Sequence, residues 1–179
     1  MSNYRLLHNT AYINYHGDKE VEIGKIVDSS TDEVLMYIHY KKDIFKETGL
    51  HTCAFIYENE NGEYLVAIVD DIHRECLYNQ PTVFIVIALH EYGHYINGDL
   101  NAEHLTTQMV LEERLRCIKE GRVIERELKA DAFAIAHVGK NAFMRYIDYL
   151  IKKRRERGDD GMHLAIQEFE LRKKAARKL

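Results

Sequence analysis

The hydrophobic positions in the first part of the chain follow the spacing of β-strands. Two runs rich in β-branched and aromatic residues, 52–57 and 63–70, flank the dipeptide Asn61-Gly62. Asn-Gly between two such runs is a strong hairpin signal, because both residues tolerate the positive φ angles of a tight turn. Residues 11–27 also have an extended pattern. We therefore predict a small sheet that contains a hairpin.

Between these extended runs the pattern favours a helix. Residues 30–33, Ser-Thr-Asp-Glu, fit a capping box, in which the first and fourth side chains satisfy backbone donors at a helix start. Val34, Ile38 and Phe45 then fall at helical spacing. The prediction is a helix that begins here and ends near Gly49.

The second half of the chain has mostly helical spacing. Residues 81–97 are apolar on nearly all sides and begin with a proline, which a first helical turn tolerates. Further helices are predicted at about 102–137 with a break near Gly121, at 141–157 and at 160–177. A mixed sheet comes first and helices follow, so the predicted fold class is α+β. At 179 residues we expect one domain, 1–179.

Composition excludes several classes of protein. The longest apolar run, 83–89, is far shorter than the roughly 20 residues that span a bilayer. The first residues lack the apolar segment of a secretory signal, so we expect a cytoplasmic location and no membrane partner. Cysteines at 53, 76 and 117 are odd in number and form no C-x-x-C pair. This argues against a disulfide framework or a cysteine zinc site.

Charge is divided unevenly along the chain. From Lys140 onward there are 12 Lys and Arg against 6 Asp and Glu, a net charge of +6, whereas the preceding residues carry −10. No aromatic interleaving or base-reading motif accompanies the basic segment, which argues against nucleic acid as a partner. The expected structure is a solvated basic helix face.

The sequence His90-Glu91-Tyr92-Gly93-His94 carries the clearest chemistry. On a helix, residues i and i+4 share a face, so both imidazoles can reach one metal ion. Glu91 is adjacent, where a carboxylate can take a proton from metal-activated water. A purely structural role would leave the Glu91 carboxylate in an apolar helix without a cation, which is costly. The missing side chain of Gly93 would let a neighbouring segment pack closely.

A catalytic zinc ion takes three protein ligands and leaves one position open. Glu127 is the best third candidate, since it forms an E-x-x-x-D pair with Asp131 on one helical face. Asp131 could accept the free ring N–H of a zinc histidine, with His90 as the expected partner. Alanines at 130, 132 and 134 would let this helix approach the motif helix closely.

Other ligands fit the sequence less well. His104 and His137 could complete a three-histidine site, but neither has the spacing of a known H-E-x-x-H companion. The metzincin pattern requires glycine and histidine where the chain has Asn97 and Leu100. Glu125 lies two positions round the helix from Glu127, so both cannot face one metal.

At these residues the chain resembles the gluzincin metallopeptidases, in particular the ImmA/IrrE-type proteases and the HtpX-like group. Both carry H-E-x-G-H followed by E-x-x-A-D/N-x-x-A, and the resemblance covers about residues 84–140. It implies a zincin-like fold, zinc ligation by His90, His94 and Glu127, and Glu91 as general base. The HtpX-like proteins are embedded in membranes, whereas this chain has no spanning segment.

The expected function is zinc-dependent hydrolysis of a peptide or protein substrate by a regulatory endopeptidase with one Zn²⁺. Glu91 would assist the attack of zinc-activated water, and His137 is the first candidate to stabilise the oxyanion. The strand at 63–70 could be a sheet edge to which an extended peptide adds as another strand. The alternative is a zinc-stabilised protein-interaction module with an inactive site. Retention of Glu91 argues against it, because a structural site needs no base.

Overall fold

The computed structural model describes residues 4–8, 20–41, 54–69, 71–99, 107–158 and 161–179. The chain divides into two compact units, Met1–Tyr92 and Gly93–Leu179. The division falls inside one continuous helix, Pro81–Ile96, so the motif histidines share a single element. The prediction of one domain over residues 1–179 stays a prediction.

Among its described residues, the first unit contains a five-stranded mixed sheet. Its strands are β1 (Tyr4–His8), β2 (Val21–Asp28), β3 (Val34–Tyr40), β4 (Ala54–Glu58) and β5 (Tyr64–Ile68). The order is β1-β2-β3-β5-β4, and every pair is antiparallel except β3 with β5, which is parallel. Ile26, Ile38 and Val66 are fully buried and form part of the core of this sheet.

The predicted hairpin is confirmed as β4 and β5. Gly62 has a φ angle of 79°, in the left-handed region that glycine adopts at little cost. The side-chain Oδ1 of Asn59 accepts hydrogen bonds of 2.9 Å from the backbone N–H groups of Asn61 and Glu63. The turn is therefore held by a side chain that satisfies two donors the ladder leaves open.

The predicted helix after residue 30 is wrong in its described part, because residues 34–40 form β3. The polar residues that fit a capping box instead build the turn from β2 to β3. In this turn Asp28 Oδ1 accepts the backbone N–H groups of Ser30 and Thr31 at 2.7 and 3.1 Å. Asp32 takes a left-handed φ of 62°. Residues 42–50, which include the rest of the predicted helix, lie outside the described residues.

The position predicted for the strand at 63–70 is also wrong. β5 lies between β3 and β4, so it is an interior strand, and the outer strands of the described sheet are β1 and β4. The reason is that residues 34–40, which were expected to be helical, form β3. This strand pairs with β5 on the side that was expected to be open. The edge available for β-strand addition is therefore not β5.

In the part of the chain that the structure describes, six helices follow the sheet. They are α1 (Asp71–Asn79), α2 (Pro81–Ile96), α3 (Thr107–Lys119), α4 (Glu125–Val138), α5 (Lys140–Arg157) and α6 (Met162–Ala176). The predictions for α2, α5 and α6 are confirmed, as is a helical break at Gly121, whose φ is 71°. The sequence did not predict α1. The α+β class, with a mostly helical C-terminal half, is confirmed.

Helix α6 is the central element of the second unit, where it packs against α3, α4 and α5. Its buried residues include two charged ones, Glu168 and Arg172. Arg154 on α5 is buried as well. The prediction of a solvated basic face therefore fails for Arg154 and Arg172, because both side chains turn into the helical unit rather than toward water.

In the described part of the chain, no helix combines the length and the apolar character needed to cross a bilayer. The motif helix α2 has 16 residues, whereas a span needs about 20.

Two of the three cysteines lie in the described residues. Cys76 and Cys117 are both buried and neither forms a disulfide. Burial raises the pKa of the Cys76 thiol to about 12, so this thiol stays protonated at neutral pH. Cys53 lies outside the described residues.

Candidate metal centre

Helix α2 places the motif in a buried setting. His90 and Glu91 are 5% and 8% exposed, while His94 lies one turn later, near the helix end. Residues 83–89 are continuously apolar, which favours burial of this helix, and the helix ends where Gly98 takes a φ of 73°. The apolar run thus carries the polar motif into the interior, where side-chain positions are restricted.

Gly93 allows α4 to approach the motif helix. A Cβ atom at this position would lie 3.1 Å from Ala130 Cα and 3.2 Å from Phe133 Cβ, which is closer than nearly all real contacts. Ala130 is itself fully buried. The expectation that Gly93 admits a close neighbour is confirmed, and the neighbour is the helix that carries Glu127.

His90, His94 and Glu127 each present one ligand atom, and the three atoms all lie within 4.8 Å of one another. The distance from His94 Nε2 to Glu127 Oε1 is 3.6 Å. Ligand atoms about 2.1 Å from a tetrahedral ion stand about 3.4 Å apart, so this separation fits a shared metal. Two nitrogens and a carboxylate oxygen could hold a metal ion without being specific to zinc.

His94 has a second partner that the sequence reasoning missed. Its Nδ1 lies 2.7 Å from Asp99 Oδ2, just beyond the end of α2. A carboxylate at this nitrogen favours the tautomer with the proton on Nδ1, which leaves the lone pair of Nε2 directed at the ligand group. The available signal was an acidic residue directly after the helix-ending Asn97-Gly98.

Glu125 and Glu127 both lie in the first turn of α4, but their side chains differ in exposure. The Glu127 side chain is 17% exposed, whereas that of Glu125 is 81% exposed and pairs with Lys129 at 3.0 Å. The positive end of the helix dipole stabilises a carboxylate in this turn. This agrees with the expectation that the two carboxylates face different directions.

Asp131, one turn after Glu127, is 2% exposed and is bound by a buried arginine. Arg172 Nε donates to Asp131 Oδ2 at 2.9 Å and its Nη2 donates to Oδ1 at 2.5 Å. Burial lowers the pKa of Arg172, but the carboxylates of Asp131 and Glu127 raise it more, so the guanidinium stays charged. The expected bond from Asp131 to His90 stays a prediction.

His137 is not part of the three-residue group. Ten residues separate it from Glu127 on α4, which is about 15 Å of helical rise. Its Nδ1 lies 2.7 Å from the carbonyl oxygen of Phe133, and its ring packs on the Phe133 ring with centroids 4.3 Å apart. The structure does not bring this residue to the metal ligands, and its oxyanion role stays a prediction.

Comparisons with known proteins do not identify a family. No family model matches the chain, and neither a curated protein nor a solved structure matches it. The geometry of the residues themselves therefore carries the functional argument.

Proposed function

We propose that this protein is a zinc-dependent metallopeptidase. The observation that carries the proposal is the convergence of His90, His94 and Glu127, whose ligand atoms lie within 4.8 Å of one another although they come from two helices. Two histidines and one carboxylate are the protein ligands of many catalytic zinc sites and leave one position free. The bound imidazole of His94 is further supported by Asp99, as in zinc enzymes generally.

Glu91 is the proposed general base. It follows a metal ligand directly on α2 and is 8% exposed, so its carboxylate is largely removed from bulk water. A bound zinc ion supplies Lewis acidity that activates water and polarises a carbonyl oxygen. Glu91 accepts the proton from the attacking water and returns it to the leaving amine, which balances the hydrolysis of a peptide bond.

The zincin-like fold and the gluzincin family belong to the same proposal. They are supported by the order of the elements, in which a sheet precedes the motif helix and a second helix supplies Glu127. The close approach of α2 and α4 at Gly93 also supports them. The resemblance of the two motifs to those of gluzincin metallopeptidases is also the basis for proposing a peptide or protein substrate in the cytoplasm.

The test begins with the metal and then compares the wild type with Glu91→Gln. We expect close to one zinc per chain in both proteins by elemental analysis, since Glu91 is not a ligand. Cells expressing the wild type should show new protein N-termini that fall at least about a hundredfold with Glu91→Gln, the usual scale of a lost general base. Equal cleavage by the two proteins would contradict the peptidase proposal.

The alternative, a zinc-stabilised interaction module with an inactive site, is favoured by one observation. Arg172 on α6 pairs with Asp131 and approaches Glu127, so the candidate ligand is part of the buried network of the helical unit. In that case zinc would raise the thermal midpoint of unfolding equally in the wild type and in Glu91→Gln. Neither protein would then cleave a substrate.

A further inference from the structure

Arg172 contacts two carboxylates on α4, and only one of these contacts is a close hydrogen-bonded pair. The guanidinium binds both oxygens of Asp131, at 2.9 and 2.5 Å. Its remaining nitrogen, Nη1, lies 3.7 Å from Glu127 Oε2, an ion-pair distance. The planar guanidinium of arginine suits this geometry. One edge of the group can donate two hydrogen bonds to one carboxylate while the remaining nitrogen lies near a second carboxylate.

The two oxygens of Glu127 therefore face different partners. Oε1 lies 3.6 Å from His94 Nε2, on the side of the other metal ligands. Oε2 faces Arg172. A carboxylate can bind a metal through one oxygen or both. Which of these occurs decides how many positions around the ion are left for water and substrate.

We infer that Arg172 is a positioning residue that holds Oε2 of Glu127 and so leaves Oε1 as the single oxygen offered to the metal. The inference rests on the proposed metal site. Arg172 is anchored for this task by Asp131, which accepts hydrogen bonds from its Nε and Nη2. The side chains of Arg172 and Asp131 are 6% and 3% exposed, so water competes little with either contact.

A second arginine in the same unit provides a control with a similar pairing geometry, although its side chain is more exposed, at 33% against 6% for Arg172. Arg114 on α3 donates from Nε and Nη2 to both oxygens of Glu168 on α6, at distances of 2.5 to 2.8 Å. This pair resembles that of Arg172 and Asp131 in its geometry and in its use of α6. It has no part in the group formed by His90, His94 and Glu127.

The experiment compares Arg172→Met and Arg172→Lys with Arg114→Met and Arg114→Lys. Each full-length protein is loaded with Co²⁺ for visible absorption spectra and with Zn²⁺ for X-ray absorption. In the wild type and both Arg114 variants we expect about four ligand atoms around the metal. In Arg172→Met we expect about five, with a weaker cobalt absorption, because the released Oε2 can also bind.

Arg172→Lys keeps the charge, but a single ammonium group cannot bind both oxygens of Asp131 and also reach Glu127. Its cobalt absorption should therefore weaken as in Arg172→Met. If Arg172→Met does not fold, as judged by circular dichroism, the lysine variant decides by the same criterion. Wild-type spectra in the folded Arg172 variants would overturn the inference alone, as would an equal change in the Arg114 variants. Absence of bound metal in the wild type would overturn both the inference and the proposed function.

Discussion

The strands of the first unit, Met1–Tyr92, and the helices of the second unit, Gly93–Leu179, bury different kinds of side chain. Every buried residue in the described strands is apolar or glycine, and Ile26, Ile38 and Val66 are fully inaccessible. In the helical unit the residues Asp131, Arg154, Glu168 and Arg172 are all less than 9% exposed. Burial in the strands gains free energy from apolar surface, whereas burial of these four charged side chains incurs a cost that pairing must offset.

The buried charged residues are where folding stability and the candidate metal site depend on the same side chains. A buried ion pair seldom stabilises a fold more than apolar residues of the same volume. Its presence therefore calls for another role, and here one pair adjoins the candidate ligand Glu127. Changes in the strands should affect stability alone, while changes in the second unit that disturb Glu127 or its partners should also affect metal binding.

The largest difference between the units is expected from Asp131→Ala. This change leaves Arg172 charged and buried without its main partner, which costs about 3–5 kcal/mol of unfolding free energy. The sheet-unit counterpart, Ile38→Val, removes one buried methylene and costs about 0.5–1.5 kcal/mol. Urea denaturation followed by circular dichroism measures both. A loss for Asp131→Ala no greater than that for Ile38→Val would contradict the contrast between the units.

Gly93→Ala should lower both the unfolding free energy and the zinc affinity. The added methyl group would meet Ala130 and Phe133 at 3.1–3.2 Å, so α4 must shift, at a cost of about 1–3 kcal/mol. The shift moves Glu127, and zinc affinity measured by competition with a chelating dye should fall. The control is Gly121→Ala, which is strained by its φ of 71° but has no atom within 4 Å. Equal zinc affinity in the wild type and Gly93→Ala would contradict the expectation.

Asp99→Asn should affect the metal while leaving the fold nearly unchanged. The amide no longer stabilises the Nδ1 proton of His94 as a carboxylate does, and zinc affinity should fall about 10–100-fold. Glu125→Gln is the control, because this exposed carboxylate pairs only with Lys129 among the contacts described above. Its loss should cost about 0.5 kcal/mol or less and leave zinc affinity unchanged. A similar affinity loss in both variants would indicate general electrostatics rather than orientation of His94.

The helices were easier to predict from sequence than the strands. Long amphipathic segments identify α5, which ends at Gly158, and α6, and the apolar run with its Asn97-Gly98 terminus identifies α2. The sheet was harder because short segments satisfy two patterns at once. Residues 34–40 have apolar positions at helical spacing, and only their pairing with β2 and β5 makes them a strand.

The candidate site divides in the same way into local and distant parts. His90, His94 and Glu127 follow from spacing on single helices, and Asp99 could have been found as an acidic residue next to a helix end. Arg172 could not, because 41 residues separate it from Asp131 and nothing near it distinguishes it from the other basic residues of the tail. Its role depends on how α6 packs against α4, which no local pattern specifies.

That separation also sets an order of events during synthesis. Both histidines and Glu127 leave the ribosome before Arg172, and the 41 residues after Asp131 take about 2–8 s to add. During this interval the nascent chain has all three candidate metal ligands but lacks Arg172, the arginine proposed to orient one of them. Metal captured early would therefore meet a Glu127 free to use both oxygens. The final arrangement is reached only when α6 emerges and packs against α4.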